Sequence, residues 1–288
     1  MIWVGNRIVA ESDLTITCAD RTFEHGLGLF ETLRTWNGSA TLLSRHLARI
    51  TRSANELGLP LDPTALPDAG AITQLLRSDR ITGDAMLRLT LTGGVSPTNG
   101  SVVWMRSAPL PAPTRAGGAT VCGFWMVSSD DPLARHKSLN YWRRRLAFEQ
   151  AHQLGFDESL SITADGCVCE GSRSNLFCFV DQTLLTPPRA GPIVPGIMRA
   201  FILECAGRFG LEVLERHLTP EQLGAADEVF LSNAVRGILP VKRLELLRGA
   251  DAGLSLPWII EMPSAPGPWT ARLWNDLASW LEGGGGEP

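Results

Sequence analysis

Positive charge in this 288-residue chain is carried almost wholly by arginine: of 26 Lys+Arg, only Lys137 and Lys242 are lysines. Arginine serves wherever charge alone is needed, but it does not deprotonate or act as an amine nucleophile near neutral pH. A lysine kept in such a chain is a candidate for amine chemistry, above all for condensing with a carbonyl. Lys137 stands in "RHKSLNYWRRR", among Arg135, Arg143, Arg144 and Arg145, with the chain's single tyrosine, Tyr141, four residues on. If that stretch is helical, Tyr141 shares the lysine's face and can hydrogen-bond the amine or a ligand oxygen. Two lysines can also fall anywhere by chance. Lys242, near a strand end in "PVKRLE", is read as ordinary charge.

A second cluster lies in "CVCEGSRSNLF", where Glu170 ends an alternating run and Gly171, Ser172, Arg173, Ser174 and Asn175 follow. A carboxylate at such a turn can hold a cationic ring nitrogen, or it can pair with Arg173. "VPGIMR" puts a glycine turn at a helix start, whose amides suit a phosphate, and "LSNAVRG" is a further turn of small polar residues. An amine for an aldehyde, a carboxylate for a ring nitrogen and donors for a phosphate are together what pyridoxal 5'-phosphate requires of a protein.

These residues need elements to carry them. Hairpins are expected at Gly5-Asn6 and at Asn37-Gly38. Apolar residues at 43, 47, 50, 54 and 57 have helical spacing, closed by Gly58 and Pro60. A second helix is expected over 69–78, then strands at "AMLRLTLTGG" and "SVVWMRS". After a proline- and glycine-rich stretch come a strand at "ATVCGFWMV" and a helix from "NYWRRRL" to the stop at Gly155. Antiparallel strands with turns at Asp165-Gly166 and Asp181-Gln182 follow, then a helix after Pro195-Gly196, a strand pair around "SNAVRG" and a final helix. The expected division is a small α/β domain over 1–110, a linker over 111–118, a larger domain over 119–282 and a flexible tail over 283–288.

Composition limits the function classes. At 44% hydrophobic and 19% charged, with a net charge of −4, the chain reads as a soluble globular protein without the basic footprint of a nucleic-acid binder. No apolar run approaches the ~20 residues that span a bilayer, and the N-terminus lacks the basic leader and apolar core of a secretory signal. The six cysteines are scattered, and Cys167-x-Cys169 is too close for the usual zinc pair. Free thiols, no metal site and a cytoplasmic setting are expected, with a small molecule as partner.

The motifs resemble those of the class IV aminotransferases, the fold type IV pyridoxal-phosphate enzymes, over nearly the whole chain. They run from "DRTFEHGLGLFETLR" through "RHLARI", "KSLNY", "DESLSITADGCVCEGSRSNLF", "LLTPP" and "VPGIMR" to "ADEVFLSNAVRGILPV", in the family's order and spacing. The resemblance implies a two-lobed α/β (α+β) fold, with a small N-terminal domain and a larger pseudo-barrel domain, and a homodimer. By position it makes Lys137 the Schiff-base lysine, Glu170 the carboxylate facing the pyridine nitrogen and Arg49 the phosphate-binding arginine. It gives the rest of the phosphate cup to the amides of Ile197 and Met198 and to the turn at Asn233 and Ala234. Val194 would pack on the cofactor ring and Tyr141 beside the cofactor. Phe30, Thr32, Arg34 and Arg88 would line the substrate side.

Within the family, "GVSPTNG" lacks the arginine and histidine that D-amino-acid aminotransferases carry there. Branched-chain aminotransferases usually have glycine where this chain has Thr32, and a Thr-x-x-Glu-type turn where it has "SNAVRG". "GLGLFETLR", "RLTLTGGVS" and "SNAVRGILPV" look more like aminodeoxychorismate lyases, in which a threonine at the Thr32 position assists elimination. The expectation is a lyase-like enzyme that makes 4-aminobenzoate and pyruvate. The alternative is an aminotransferase of branched-chain type.

Overall fold

The computed structural model describes residues 1–112, 119–246 and 258–283. The expected linker over 111–118 and the tail over 283–288 therefore lie largely outside the described residues. The chain forms two compact units. One is Met1–Ala112 with His136–Tyr141 and the chain end from Ser279; the other is Pro113–Arg135 with Trp142–Ala278.

The first unit starts with β1 (Ile2–Val4) and β2 (Arg7–Val9), followed by α1 (Arg21–His25), β3 (Gly28–Trp36) and β4 (Ser39–Ala40). Then come α2 (Leu43–Glu56), α3 (Ala69–Ser78), β5 (Ala85–Thr92) and β6 (Val103–Pro109). Both expected hairpins form. Gly5 and Asn6, and again Asn37 and Gly38, all have positive φ, the geometry of a type I′ turn between right-twisted strands. The strands make one antiparallel sheet in the order β2-β1-β6-β5-β3-β4. Leu29 and Leu33 from β3 and Leu87, Leu89 and Leu91 from β5 join Ile50 and Ala54 from α2 and Ile72 and Leu75 from α3 in one core. The period of two along each strand puts those leucines on one face and leaves the other for different work.

The second unit holds β7 (Ala119–Met126), α4 (Trp142–Gln153), β8 (Glu158–Ile162), β9 (Val168–Gly171), β10 (Asn175–Val180) and β11 (Thr183–Thr186). It continues with α5 (Ile197–Arg208), β12 (Val213–Glu215), α6 (Pro220–Gly224), β13 (Glu228–Asn233), β14 (Gly237–Leu246), β15 (Trp258–Glu261) and α7 (Pro268–Glu282). The sheet runs β12-β11-β10-β13-β14-β7-β8-β9, and a further pairing of β9 with β10, Glu170 opposite Asn175, closes six of these strands on themselves. Phe177 and Phe230, both fully buried, stack at 4.8 Å in this unit.

One expectation fails. Helix α4 begins at Trp142, so Lys137 and Tyr141 do not share a helical face. The reason is a competing backbone partner. The Phe30 amide donates to the Lys137 carbonyl and the Leu139 amide to the Gly28 carbonyl, each at 2.9 Å, which holds residues 137–139 extended along β3. Gly28 permits that approach. Its φ is +139°, and a Cβ there would lie 2.6 Å from both Leu139 Cδ1 and the Leu91 carbonyl oxygen. Gly28→Ala should therefore destabilise the chain by about 1–3 kcal/mol. Urea unfolding of the full chain checks this, and an unchanged midpoint would contradict the close approach.

Candidate active site

Strand alternation sorts the residues of β3. Glu31, like Leu29 and Leu33, turns to the helix-covered core, while Phe30, Thr32 and Arg34 turn to the other face. Phe30 is the hub of that face. Lys137 Nζ lies 4.5 Å from its ring centroid, the Arg88 guanidinium carbon 3.9 Å, and the Tyr141 ring meets it edge-on at 5.2 Å. Register places Arg88 of β5 opposite Thr32 and Arg106 of β6 opposite Arg88. Burial and then the Arg106 charge push the Arg88 guanidinium below the ordinary arginine value. Arg34 is directed elsewhere, to Asp84 at 3.5 Å and over Trp36 at 4.8 Å.

On the covered face Glu31 accepts from Arg49 Nε at 2.7 Å and Nη2 at 2.6 Å, and lies 2.8 Å from His46 Nδ1. None of the three is more than 6% exposed. Burial by itself raises the Glu31 carboxyl. The charge and hydrogen bonds of Arg49, joined by His46, more than reverse this and hold it at about 2, against an ordinary 4.5. Burial, more than the neighbouring charges, pushes His46 below its usual 6.5. The stripe on α2 continues past Arg49 to Ser53 and Glu56. The first lies 2.9 Å from His136 Nδ1 and the second 3.7 Å from His136 Nε2. One helix thus holds both the strand under Phe30 and the residue next to Lys137. His46, Arg49, Ser53 and Glu56 recur at steps of three and four. That polar periodicity is present in the sequence alongside the apolar one at 43, 47, 50, 54 and 57.

In the second unit Glu170 is 2% exposed. Its Oε1 accepts from Arg144 Nη2 at 2.5 Å and from the Val194 amide at 3.0 Å, and its Oε2 from Asn175 Nδ2 at 3.0 Å. Asn175 also donates to the Val194 carbonyl at 2.9 Å, so residues 170, 175 and 194 form one knot. The cation hydrogen-bonded to Glu170 is Arg144. Arg173 stands 3.5 Å over Phe148 and reaches Glu158 at 4.0 Å. Glu158, buried, accepts from the Ser159 amide, the Ser172 amide and hydroxyl, and the Ser174 hydroxyl. It thereby fixes the turn between Glu170 and Asn175. Neither Glu158 nor Arg144 stands out by local sequence pattern, because the hydroxyls that bond Glu158 lie 14 and 16 residues away and the carboxylate that bonds Arg144 lies 26 away.

Ile197 and Met198 open α5, whose cap residue Gly196 gives no side-chain hydrogen bond to the first turn. A Cβ at Gly196 would fall 2.0 Å from Asn175 Oδ1, so glycine here lets the asparagine pack over the helix start. In the turn after β13, which contains Ala234, Asn233 Oδ1 accepts the Val235 and Arg236 amides at 3.0 and 2.8 Å. Ser232, opposite Asn175 in register, has a buried hydroxyl without a hydrogen-bond partner. A lysine amine in the first unit, and a buried carboxylate and an uncapped helix start in the second, are donor types that fit pyridoxal phosphate. Among the described residues no group of His, Cys, Asp or Glu could hold a metal ion, and no helix is long and apolar enough to cross a membrane.

The fold is that of the fold type IV enzymes, and comparison with known proteins agrees. The family model for amino-transferase class IV matches residues 28–244. The aminodeoxychorismate lyase of Bacillus subtilis is 29% identical over 271 residues, covering 88% of this chain and 90% of the lyase. The crystal structure of 4-amino-4-deoxychorismate lyase from Pseudomonas aeruginosa is 30% identical with a TM-score of 0.78, over 97% of this chain and 98% of that one. The branched-chain aminotransferase of Thermoproteus uzoniensis is 25% identical with a TM-score of 0.82, over 98% of this chain and 94% of that one. The chain belongs to the class IV aminotransferase family, whose members are enzymes that use pyridoxal phosphate.

Glu31→Gln leaves Arg49 and His46 buried without their anion and should cost about 3–5 kcal/mol. The linkage has a defined sign. A carboxyl held at about 2 in the folded chain and near 4.5 unfolded stabilises fully above 4.5 and loses that contribution as pH falls towards 2. His46, depressed below 6.5, adds a loss in the same direction as pH falls below 6.5. Chemical unfolding against pH should therefore show wild-type stability declining on acidification, and Glu31→Gln should remove the part between 4.5 and 2. An equal slope in both proteins would contradict an ionised Glu31.

Proposed function

We propose that this chain binds pyridoxal 5'-phosphate and acts on a small amino-bearing carboxylic acid as a lyase of aminodeoxychorismate type. The observation that carries the cofactor reading is the placement of Lys137, in a chain with two lysines, against Phe30, the ring that Arg88 and Tyr141 also meet. When bound, the cofactor supplies an aldehyde for the amine and a protonated ring that accepts electrons. Lys137 Nζ would provide the amine and would take the proton from the substrate's amine-bearing carbon. Glu170, which accepts from Arg144, Asn175 and the Val194 amide, would stand at the ring nitrogen. Arg49 and the amides of Ile197 and Met198 hold the phosphate, aided by the turn at Asn233 and Ala234. Val194 packs on the ring.

Phe30 and Arg88 orient the substrate, with Arg88 facing its carboxylate, and Tyr141 lies beside the cofactor. Thr32, opposite Arg88, aids departure of the leaving group. Support for the lyase comes from Thr32, from the "SNAVRG" turn and from the full-length similarity to two lyases. The second reading, amino exchange between an amino acid and a 2-oxo acid, draws on the similarity to the Thermoproteus enzyme.

The test supplies aminodeoxychorismate to the cofactor-loaded chain without a keto acid. 4-Aminobenzoate should appear, Lys137→Ala should abolish it, and Thr32→Val should slow it about 10²-fold or more. Failure to form 4-aminobenzoate, together with amino exchange from glutamate to a 2-oxo acid, would replace the lyase by the transaminase.

A further inference from the structure

Three consecutive arginines open α4, and they have different fates. Arg143 is exposed, and Arg145, 61% exposed, pairs with Glu149 one turn on. Arg144 turns inward, with its side chain 13% exposed. Besides its 2.5 Å bond to Glu170 Oε1, it donates to the Ala134 carbonyl at 3.4 Å and the Gly171 carbonyl at 3.5 Å, and it lies 5.7 Å from the Trp125 ring centroid. Three acceptors and an aromatic wall make this a built position. We propose that Arg144 is a positioning residue that keeps Glu170 ionised, so that the proton shared between this carboxylate and the cofactor's ring nitrogen stays on the nitrogen. The proposal rests on the reading of Glu170 given above.

The physical argument turns on distance. A carboxylate this deeply buried would favour its neutral form unless a cation compensated it. Coulomb energy falls as 1/r. A guanidinium touching the carboxylate therefore stabilises that anion by more than it disturbs a cation bonded beyond it. The neighbours of Glu170 recorded beside Arg144 carry no positive charge. Asn175 and the Val194 amide are neutral donors, and Ser161 hydrogen-bonds only the Glu170 backbone. The neighbouring Cys169 thiol, pushed up to about 12 by burial and then by the Glu170 charge, stays protonated. Arg144 thus acts through Glu170 and sets how strongly the ring draws electrons.

The experiment loads the full chain with cofactor labelled with nitrogen-15 in the ring and reads the ring-nitrogen signal. The wild-type signal should lie in the protonated range. Arg144→Gln should move it towards the unprotonated range, and Arg144→Lys, which keeps the charge, should restore it. Glu170→Gln separates the two layers of the claim. If Glu170→Gln leaves the signal in place, the reading of Glu170 itself fails. If Glu170→Gln moves it and Arg144→Gln does not, the proposal fails alone. Equal displacement by Arg144→Gln and Arg144→Lys would also overturn it. Should Arg144→Gln not load, the cofactor-free chain decides: the carbon-13 signal of the Glu170 carboxyl should titrate at higher pH in Arg144→Gln than in wild type, and equal midpoints would overturn the proposal.

Discussion

A carboxylate buried between a sheet and a helix is the constraint on which the first unit depends. Glu31 sits on the core face of a strand whose neighbours on that face are leucines, and it is tolerable there only because Arg49 and His46 satisfy it. The same contact fixes the register of α2 against β3. Since successive residues of a strand face opposite ways, fixing Glu31 also fixes Phe30 and Thr32 on the other face. Lys137 is then placed twice, by backbone hydrogen bonds to β3 and through His136 to Ser53 of the same helix. A buried ion pair adds little net stability over a well-packed apolar core. Its value here lies in specifying one arrangement of helix, strand and lysine.

The second unit uses the same device independently. Glu158, buried and surrounded by serine donors, organises the turn that separates Glu170 from Asn175. Those two then share Val194 as a backbone partner. In both units a carboxylate with no proposed chemical role holds the backbone that carries a residue with one. Removing such a support leaves buried donors unsatisfied.

Much of this was legible in the sequence, for identifiable reasons. Hairpins at Gly5-Asn6 and Asn37-Gly38 and the helix stop at Gly58 follow from local backbone conformation, which a few residues determine. The family motifs single out Lys137 and Glu170. What stayed hidden depends on pairing across sequence distance. Glu31 reads as one polar residue in an apolar strand until Arg49, 18 positions on, is packed against it. Arg144 reads as one of three equivalent arginines until β9 is brought to α4. The Lys137–Tyr141 spacing suggests a helical pair, but the two are joined instead by Phe30, which each meets separately.

The scarcity of lysine makes the central claim directly measurable. The chain offers two lysines, Lys137 and Lys242, so a covalent adduct has few places to form. Incubation with pyridoxal phosphate, reduction with borohydride, digestion and mass analysis of the peptides should place the cofactor's mass on the peptide containing Lys137, with Lys242 unmodified. Adduct on Lys242 alone, or equal labelling of the two, would contradict the account of Lys137 as the positioned amine.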